Sequence, residues 1–199
     1  ALTSSRSQGL WAVMPDAASL ITAILAASSV KLLDDALDAV PDDELCGPRA
    51  TYCALALCLG CMIRPAVAAP LFLGCYAAGM LISRQRTPLY AAETAAIMVA
   101  LALYAGWQRA AAAVLTAVAA QLADDVLDRA SDWAAARPNL ARQLGSTECG
   151  LAAASLLCAA LSLDMDLAMC GTFGAAAVWA AEWIARADRG GVLRECRSA

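Results

Sequence analysis

The chain has 199 residues, of which 61% are apolar and 16% are charged, and its mean hydropathy is +0.62. This composition is too apolar for an average soluble domain, so a membrane protein has to be considered first. A net charge of −4 without a basic stripe argues against nucleic-acid binding. Nine cysteines without a histidine leave little scope for a zinc site. Cys58 and Cys61 form a CxxC inside an apolar run, where packing is the favoured interpretation.

Seven long apolar runs follow a polar start. Residues 1–16 are interpreted as an N-terminal tail, because they contain no signal-peptide core. The runs, each interpreted as a helix, cover residues 17–40, 50–63, 66–83, 91–108, 110–132, 146–163 and 167–185. Pro41 disfavours the helical conformation at the residue before it, so the first helix is expected to end there. The sequence therefore predicts an all-α membrane bundle of about seven transmembrane helices.

Two aspartate-rich motifs end the first and the fifth of these runs. Residues 34–42 and 124–132 both read DDxxDxxxD, and they lie ninety positions apart. Steps of three and four place carboxylates on one side of a helix. The carboxylates aligned in this way belong to Asp35, Asp38 and Asp42 in the first motif and to Asp125, Asp128 and Asp132 in the second. Carboxylates held this close repel one another unless a cation lies among them.

The two motifs together predict a Mg²⁺ cluster that bridges to a diphosphate. Carboxylate oxygens suit Mg²⁺, which proteins usually share with substrate phosphates. The predicted metal ligands are Asp34, Asp35, Asp38, Asp42, Asp124, Asp125, Asp128 and Asp132. The alternative is two solvated acidic helix ends. The helix macrodipole argues against it, because acidic groups are unfavourable at helix C-termini and both motifs follow their apolar run.

Arginines are distributed unevenly between the two ends of the predicted bundle. If all seven helices cross a bilayer, one side has ten arginines and the other has three. The larger set is Arg49, Arg84, Arg86, Arg129, Arg137, Arg142, Arg186, Arg189, Arg194 and Arg197, and the smaller set is Arg6, Arg64 and Arg109. The positive-inside rule assigns the arginine-rich side to the cytoplasm. We therefore expect an integral membrane protein with both aspartate motifs on the cytoplasmic side.

Other ionisable residues fall toward the same end. Lys31 lies one turn before the first motif, where its ammonium either neutralises Asp35 or binds a substrate phosphate. Its counterpart ninety positions later is Gln121, so the two halves are not equivalent. Glu93 and Glu182 are also near this end, as functional groups or as carboxylates that reach the interface from a helix end.

The repeated motif predicts two related helical units. Four helix-to-helix steps separate the two motif helices, so these are expected to run parallel and to meet across a central cavity. We divide the chain into a first repeat at 17–109, a second at 110–187 and a basic cytoplasmic tail at 188–199. A cavity lined by Ala, Leu, Val and Cys suits a long apolar chain whose charged head lies at the aspartates. A prenyl diphosphate has this combination.

The paired motifs and the segment 139–145 (NLARQLG) resemble the UbiA superfamily of intramembrane prenyltransferases over about residues 20–185. In that family an (N/D)DxxDxxxD motif and a second aspartate-rich motif bind Mg²⁺ and the substrate diphosphate, and a stretch similar to TLPVRLG follows the second. The resemblance implies transfer of a prenyl group to an acceptor that no residue identifies. Asp34 stands where the family usually has Asn, and seven helices stand where it typically has nine.

The resemblance also implies roles for individual residues. Mg²⁺ at the motifs would offset charge on the leaving diphosphate. The implied catalytic residues are Asp35, Asp38, Asp125 and Asp128. The cations expected to bind phosphate oxygens are Lys31, Arg49 and Arg142. For the two arginines, a plain positive-inside loop charge is an equal alternative.

Two other classes of protein stay open. The segments 31–35 (KLLDD) and 121–128 (QLADDVLD) also resemble the motifs of trans-isoprenyl diphosphate synthases, which are soluble all-helical enzymes, but the paired arginines after the first motif are missing. Several apolar runs are shorter than the roughly 20 residues of a spanning helix, as in soluble bundles. A divalent-cation transporter or a non-catalytic ion-binding membrane protein is the other alternative, because membrane aspartates also mark ion pathways. A transporter needs polar groups leading to the opposite face, where this chain has few.

Overall fold

A computed structural model describes residues 15–37, 46–82, 88–130 and 139–198 of the chain. These ranges form eight α-helices and no strand, which confirms the predicted all-α class. The helices are α1 (Ala17–Leu37), α2 (Cys46–Ile63), α3 (Pro65–Ile82), α4 (Pro88–Ala105), α5 (Trp107–Leu127), α6 (Leu140–Leu144), α7 (Ser146–Leu163) and α8 (Met165–Ser198). Each of the seven long helices overlaps one of the seven apolar runs, and α6 is additional.

Four of these helices are long and apolar enough to cross a membrane. They contain the stretches Ala17–Asp34, Trp107–Leu127, Ser146–Leu163 and Met165–Ala185. The helices α2, α3 and α4 contain shorter apolar stretches. Both motif helices therefore have the length and composition of a membrane span.

The boundaries of α5 differ from the predicted ones at both ends. The break before this helix lies at Gly106, whose φ of 85° is readily adopted only by glycine, and not at Arg109. The boundary predicted between residues 109 and 110 thus falls inside the first turn of α5. The helix ends at Leu127, where a helix to residue 132 was predicted, and Asp128 is the residue that caps it.

The helix α6 lies in a stretch that was predicted to be non-helical. Asn139 caps its start, because its side-chain oxygen accepts a hydrogen bond from the backbone N–H of Arg142 at 3.2 Å. Gly145 ends it with a φ of 110°. At the C-terminal end of the chain, α8 continues through Ser198, into the region predicted to be a separate tail.

Two three-helix units share one pattern of packing. In the first unit α1 packs on α2 and α3, and in the second α5 packs on α7 and α8. The succession of buried, half-buried and exposed residues over 51–62 is identical to that over 151–162. The motif helices correspond at an offset of ninety, whereas the following helices correspond at an offset of one hundred. The additional residues lie between α5 and α7, in the segment that contains α6.

The third helix of each unit crosses the first helix of the other unit at a glycine. A Cβ added at Gly74 of α3 would lie 2.8 Å from the Cβ of Ala113 in α5. A Cβ added at Gly174 of α8 would lie 2.6 Å from the carbonyl oxygen of Ala23 in α1. The two crossings occupy equivalent positions, because Gly174 follows Gly74 by one hundred residues and Ala113 follows Ala23 by ninety. Small residues let helix backbones approach closely, so α1 and α5 are both drawn toward one central axis.

Ion pairs connect the helices at the end of the bundle opposite the motifs. Asp16, directly before α1, pairs with Arg64, which joins α2 to α3. In the second unit, Arg109 of α5 pairs with Asp164, which joins α7 to α8, at 3.6 Å. The two pairs occupy similar places with opposite polarity. Hydrogen bonds from the Ser19 side chain and backbone, together with the Arg64 charge, lower the pKa of Asp16.

We expect Gly174→Ala to destabilise the fold by about 1–3 kcal/mol, because the added methyl group overlaps the α1 backbone. The matched control is Gly150→Ala in α7, where an added Cβ meets nothing within 4 Å. Thermal unfolding of the detergent-purified variants measures the difference. Equal unfolding temperatures for the two variants would contradict the close crossing.

Candidate functional site

A central cavity of about 220 Å³ lies between α1, α3, α5 and α8. On the motif helices its lining residues come in four pairs at an offset of ninety: Ala27 and Ala117, Val30 and Ala120, Lys31 and Gln121, and Asp34 and Asp124. The third helices add two pairs at an offset of one hundred, Cys75 with Ala175 and Gly79 with Trp179, together with Val178 and Glu182. Both motif helices thus pass the cavity in the same direction, and the two units contribute equivalent positions.

One end of the cavity is polar. Lys31 Nζ lies 3.3 Å from Glu182 Oε1, so an ion pair connects α1 to α8. Trp179 lies beside Asp124, and both residues line the cavity and the neighbouring groove. Asp128, Lys31 and Glu182 are the charged groups that interact electrostatically with the Asp124 carboxylate. The polar end therefore combines carboxylates from α1, α5 and α8 with one ammonium group.

The other end narrows into an apolar chamber of about 50 Å³. Leu71, several alanines and Thr116 line it, and the buried Thr116 hydroxyl has no hydrogen-bond partner among the described residues. Pockets that enclose small ligands usually measure about 300–1,000 Å³. The cavity and its chamber have room for the head of a ligand and the start of an apolar chain.

The two walls of the cavity differ despite the related packing. Lys31 in the first unit is replaced by Gln121 at the equivalent position of the second unit, and Gly79 is replaced by Trp179. Charged and aromatic groups are thus concentrated on the wall formed by α1 and α8. Sequence reasoning missed Trp179 and left Glu182 open. Comparison of residues 46–82 with residues 146–182 at an offset of one hundred would have identified both positions.

Asp125 does not line the cavity. Its Oδ2 accepts a hydrogen bond from the backbone N–H of Leu140 at 2.9 Å, and its carbonyl oxygen accepts one from Asn139 Nδ2 at 2.8 Å. Asn139 is itself buried, with 3% of its surface exposed. Asp125 therefore fastens α6 to the end of α5. Within the second motif it is Asp124 that faces the cavity.

Asp128 lies just beyond the end of α5. Its backbone N–H donates to the Asp124 carbonyl at 2.8 Å. Its side chain borders a groove of about 350 Å³ between α5 and α8, with Trp179 and Trp183. The predicted alignment of the second motif along one helix face depended on a helix through residue 132. The helix is interrupted at Asp128 and resumes at residues 129 and 130, and Asp132 lies outside the described residues.

Part of the predicted site lies outside the described residues. This part comprises the side chain of Asp35 and the residues Asp38, Asp42 and Asp132. Among the described side chains, no group of three or more Cys, Asp or Glu is arranged to hold a metal ion. Mg²⁺ is commonly held by one or two carboxylates together with substrate phosphates. Asp34 and Asp124 supply two such carboxylates at one cavity, which fits a metal ion shared with a ligand.

The two predicted arginines occupy other positions. Arg49 is half-exposed in the first turn of α2, and Arg142 is exposed in α6. Neither is among the residues that line the central cavity. Glu93 accepts a hydrogen bond from the Tyr76 hydroxyl at 3.1 Å and so connects α4 to α3. Of the three predicted phosphate-binding cations, Lys31 is the one at the cavity.

Comparison of the chain with models of protein families, with curated proteins and with solved structures finds no match. Any functional assignment therefore depends on the cavity and on the motifs themselves.

We expect Asp125→Ala to lower the free energy of unfolding by about 1–3 kcal/mol, because it leaves the Leu140 N–H without its acceptor. Asp125→Asn keeps an oxygen at that position and is expected to retain most of the stability. Thermal unfolding of both variants measures this. Equal losses in the two variants would show that the hydrogen bond is not what Asp125 contributes.

Proposed function

We propose that the chain is a Mg²⁺-dependent intramembrane prenyltransferase that ionises an allylic prenyl diphosphate and transfers the prenyl group to an acceptor. The observation that carries the proposal is the convergence of Asp34 and Asp124 at one cavity, beside the Lys31 ammonium. Two carboxylates and a cation at the polar end suit a metal-bound diphosphate. The apolar end suits the start of the prenyl chain. The resemblance of the paired motifs to the UbiA superfamily agrees with this assignment.

The exposed surface supports a location in the bilayer. Large apolar side chains are exposed on several helices, and they include Tyr52, Leu55, Met62, Val99, Leu103, Tyr104, Leu151, Phe173 and Ile184. Soluble monomers rarely expose so much apolar surface. Trp107 and Trp183 are 66% and 74% exposed near opposite ends of the bundle, as in the aromatic belts of membrane proteins. We propose that the seven long helices span the bilayer with the motifs on the cytoplasmic side.

The proposed reaction breaks the bond between C1 of the prenyl chain and the diphosphate oxygen. The electron pair leaves with the diphosphate, and Mg²⁺ supplies positive charge that stabilises this leaving group. Asp34 and Asp124 would hold the metal ion, and the Lys31 ammonium would donate to a phosphate oxygen. The apolar walls keep water from the allylic cation. The acceptor then forms a bond to C1 and releases a proton.

The other motif residues keep their predicted roles as metal ligands within this proposal, except Asp125. Asp35 and Asp38 would complete the metal site from the first motif, and Asp128 from the groove beside Asp124. Asp125 would contribute through the position of α6. Arg49 and Arg142 would meet the diphosphate only if it extends beyond the cavity toward the cytoplasm.

A cation transporter is less well supported. Transport needs polar groups that continue from the cavity to the opposite face. At the opposite end Arg64 and Arg109 are paired with aspartates, and the chamber between is lined by apolar groups apart from Thr116. The described polar groups are thus accessible from one end, as a one-sided enzyme site requires.

The proposal predicts Mg²⁺-dependent release of diphosphate from geranylgeranyl diphosphate by the detergent-purified protein. Asp34→Asn and Asp124→Asn are each expected to slow release by about 10²-fold or more, because each removes charge stabilisation from the leaving group. Asp35→Ala is expected to act likewise. The matched control is Asp166→Asn, an exposed aspartate at the opposite end, which should keep full activity. Release without Mg²⁺, or equal rates in all these variants, would contradict the proposal.

A further inference from the structure

The ion pair of Lys31 with Glu182 separates the central cavity from a groove on the outside of the bundle. This groove, of about 340 Å³, lies between α1 and α8, and both charged residues line it as well as the cavity. The two side chains are 36% and 27% exposed. Lys31 therefore stands at a boundary, where its long flexible stem can direct the ammonium either inward or outward.

The corresponding face of the other unit is covered by α4 at its described positions. There α4 packs against both α3 and α5, and Ala77 and Ala78 of α3 are 0% and 1% exposed. The equivalent residues of α8, Ala177 and Val178, are only half-buried. Among the described helices, none covers the α1 and α8 groove as α4 covers its counterpart. The ammonium of Lys31 thus has an open groove beside it, which α4 does not reach.

The cation and its partner are both replaced at the equivalent sequence positions of the other unit. Position 121 carries Gln in place of Lys31, and position 82 carries Ile in place of Glu182. A carboxylate repels a diphosphate unless a metal ion lies between them, and the Glu182 carboxylate contacts the Lys31 ammonium. Its contact with Lys31 at 3.3 Å indicates that Glu182 acts through the lysine.

We propose that Glu182 is a positioning residue, which holds the Lys31 ammonium at the cavity where it contacts the substrate diphosphate. The proposal rests on the proposed prenyl-diphosphate function and adds a residue to it. Glu182 acts through Lys31: it restricts the lysine stem and keeps the ammonium out of the outer groove. Loss of Glu182 is therefore expected to weaken diphosphate binding only while Lys31 is present.

A double-mutant cycle tests this dependence. The variants are Lys31→Gln, Glu182→Gln and the combination, and the measured quantity is the Kd for inorganic diphosphate with Mg²⁺, by calorimetry in detergent. We expect Glu182→Gln to weaken binding by about tenfold, as for partners that orient a functional group, and the double variant to bind no more weakly than Lys31→Gln. Glu182→Asp should recover part of the affinity. Glu93→Gln is the matched control, since Glu93 contacts Tyr76 away from the cavity.

Unchanged affinity in Glu182→Gln, or the same loss with and without Lys31, would overturn the positioning role while the proposed function stands. If Glu182→Gln does not fold, the same comparison is made with Glu182→Asp. Wild-type protein that binds no diphosphate with Mg²⁺ would instead overturn the proposed function, and the positioning role with it.

Discussion

The close approach of helices at two glycines is the constraint on which the rest of the structure depends. Gly74 contacts Ala113, and Gly174 contacts Ala23, so the third helix of each unit lies directly on the motif helix of the other. Larger residues at these crossings would move α1 and α5 apart. Because both motif helices are held near one axis, their aspartate ends converge, and the space left between them is the central cavity.

A symmetric scaffold with asymmetric side chains explains how this cavity acquires a polar wall. Four pairs of equivalent positions line it on the motif helices: two pairs carry small apolar residues in both units, and one pair carries aspartate in both. The differences are concentrated where chemistry is expected: Lys31 against Gln121, and Trp179 against Gly79. The packing keeps the aspartates together. The positions that differ between the two units place the cation and the aromatic group on one wall of the cavity.

Much of this arrangement could be predicted from the sequence, because apolar runs and a repeated motif are strong local signals. The seven long helices, the parallel motif helices and the place of Lys31 at the aspartate end follow from them. The role of Asp125 did not, because its partner is α6, a short helix defined by Asn139 and Gly145. The end of α5 at Leu127 also escaped prediction, since no proline marks it. The residues between α5 and α7 change the offset between the repeats from ninety to one hundred. A comparison at an offset of ninety therefore does not align Trp179 with Gly79.

We propose that Asp34 and Asp124 belong to one site that takes a metal-bound diphosphate. Electron paramagnetic resonance of Mn²⁺, a paramagnetic substitute for Mg²⁺, measures it directly in the purified protein with inorganic diphosphate. The account predicts bound Mn²⁺ in the wild-type protein and in Asp166→Asn, and its loss in both Asp34→Asn and Asp124→Asn. Retention of bound Mn²⁺ in either of these last two variants would contradict a shared site.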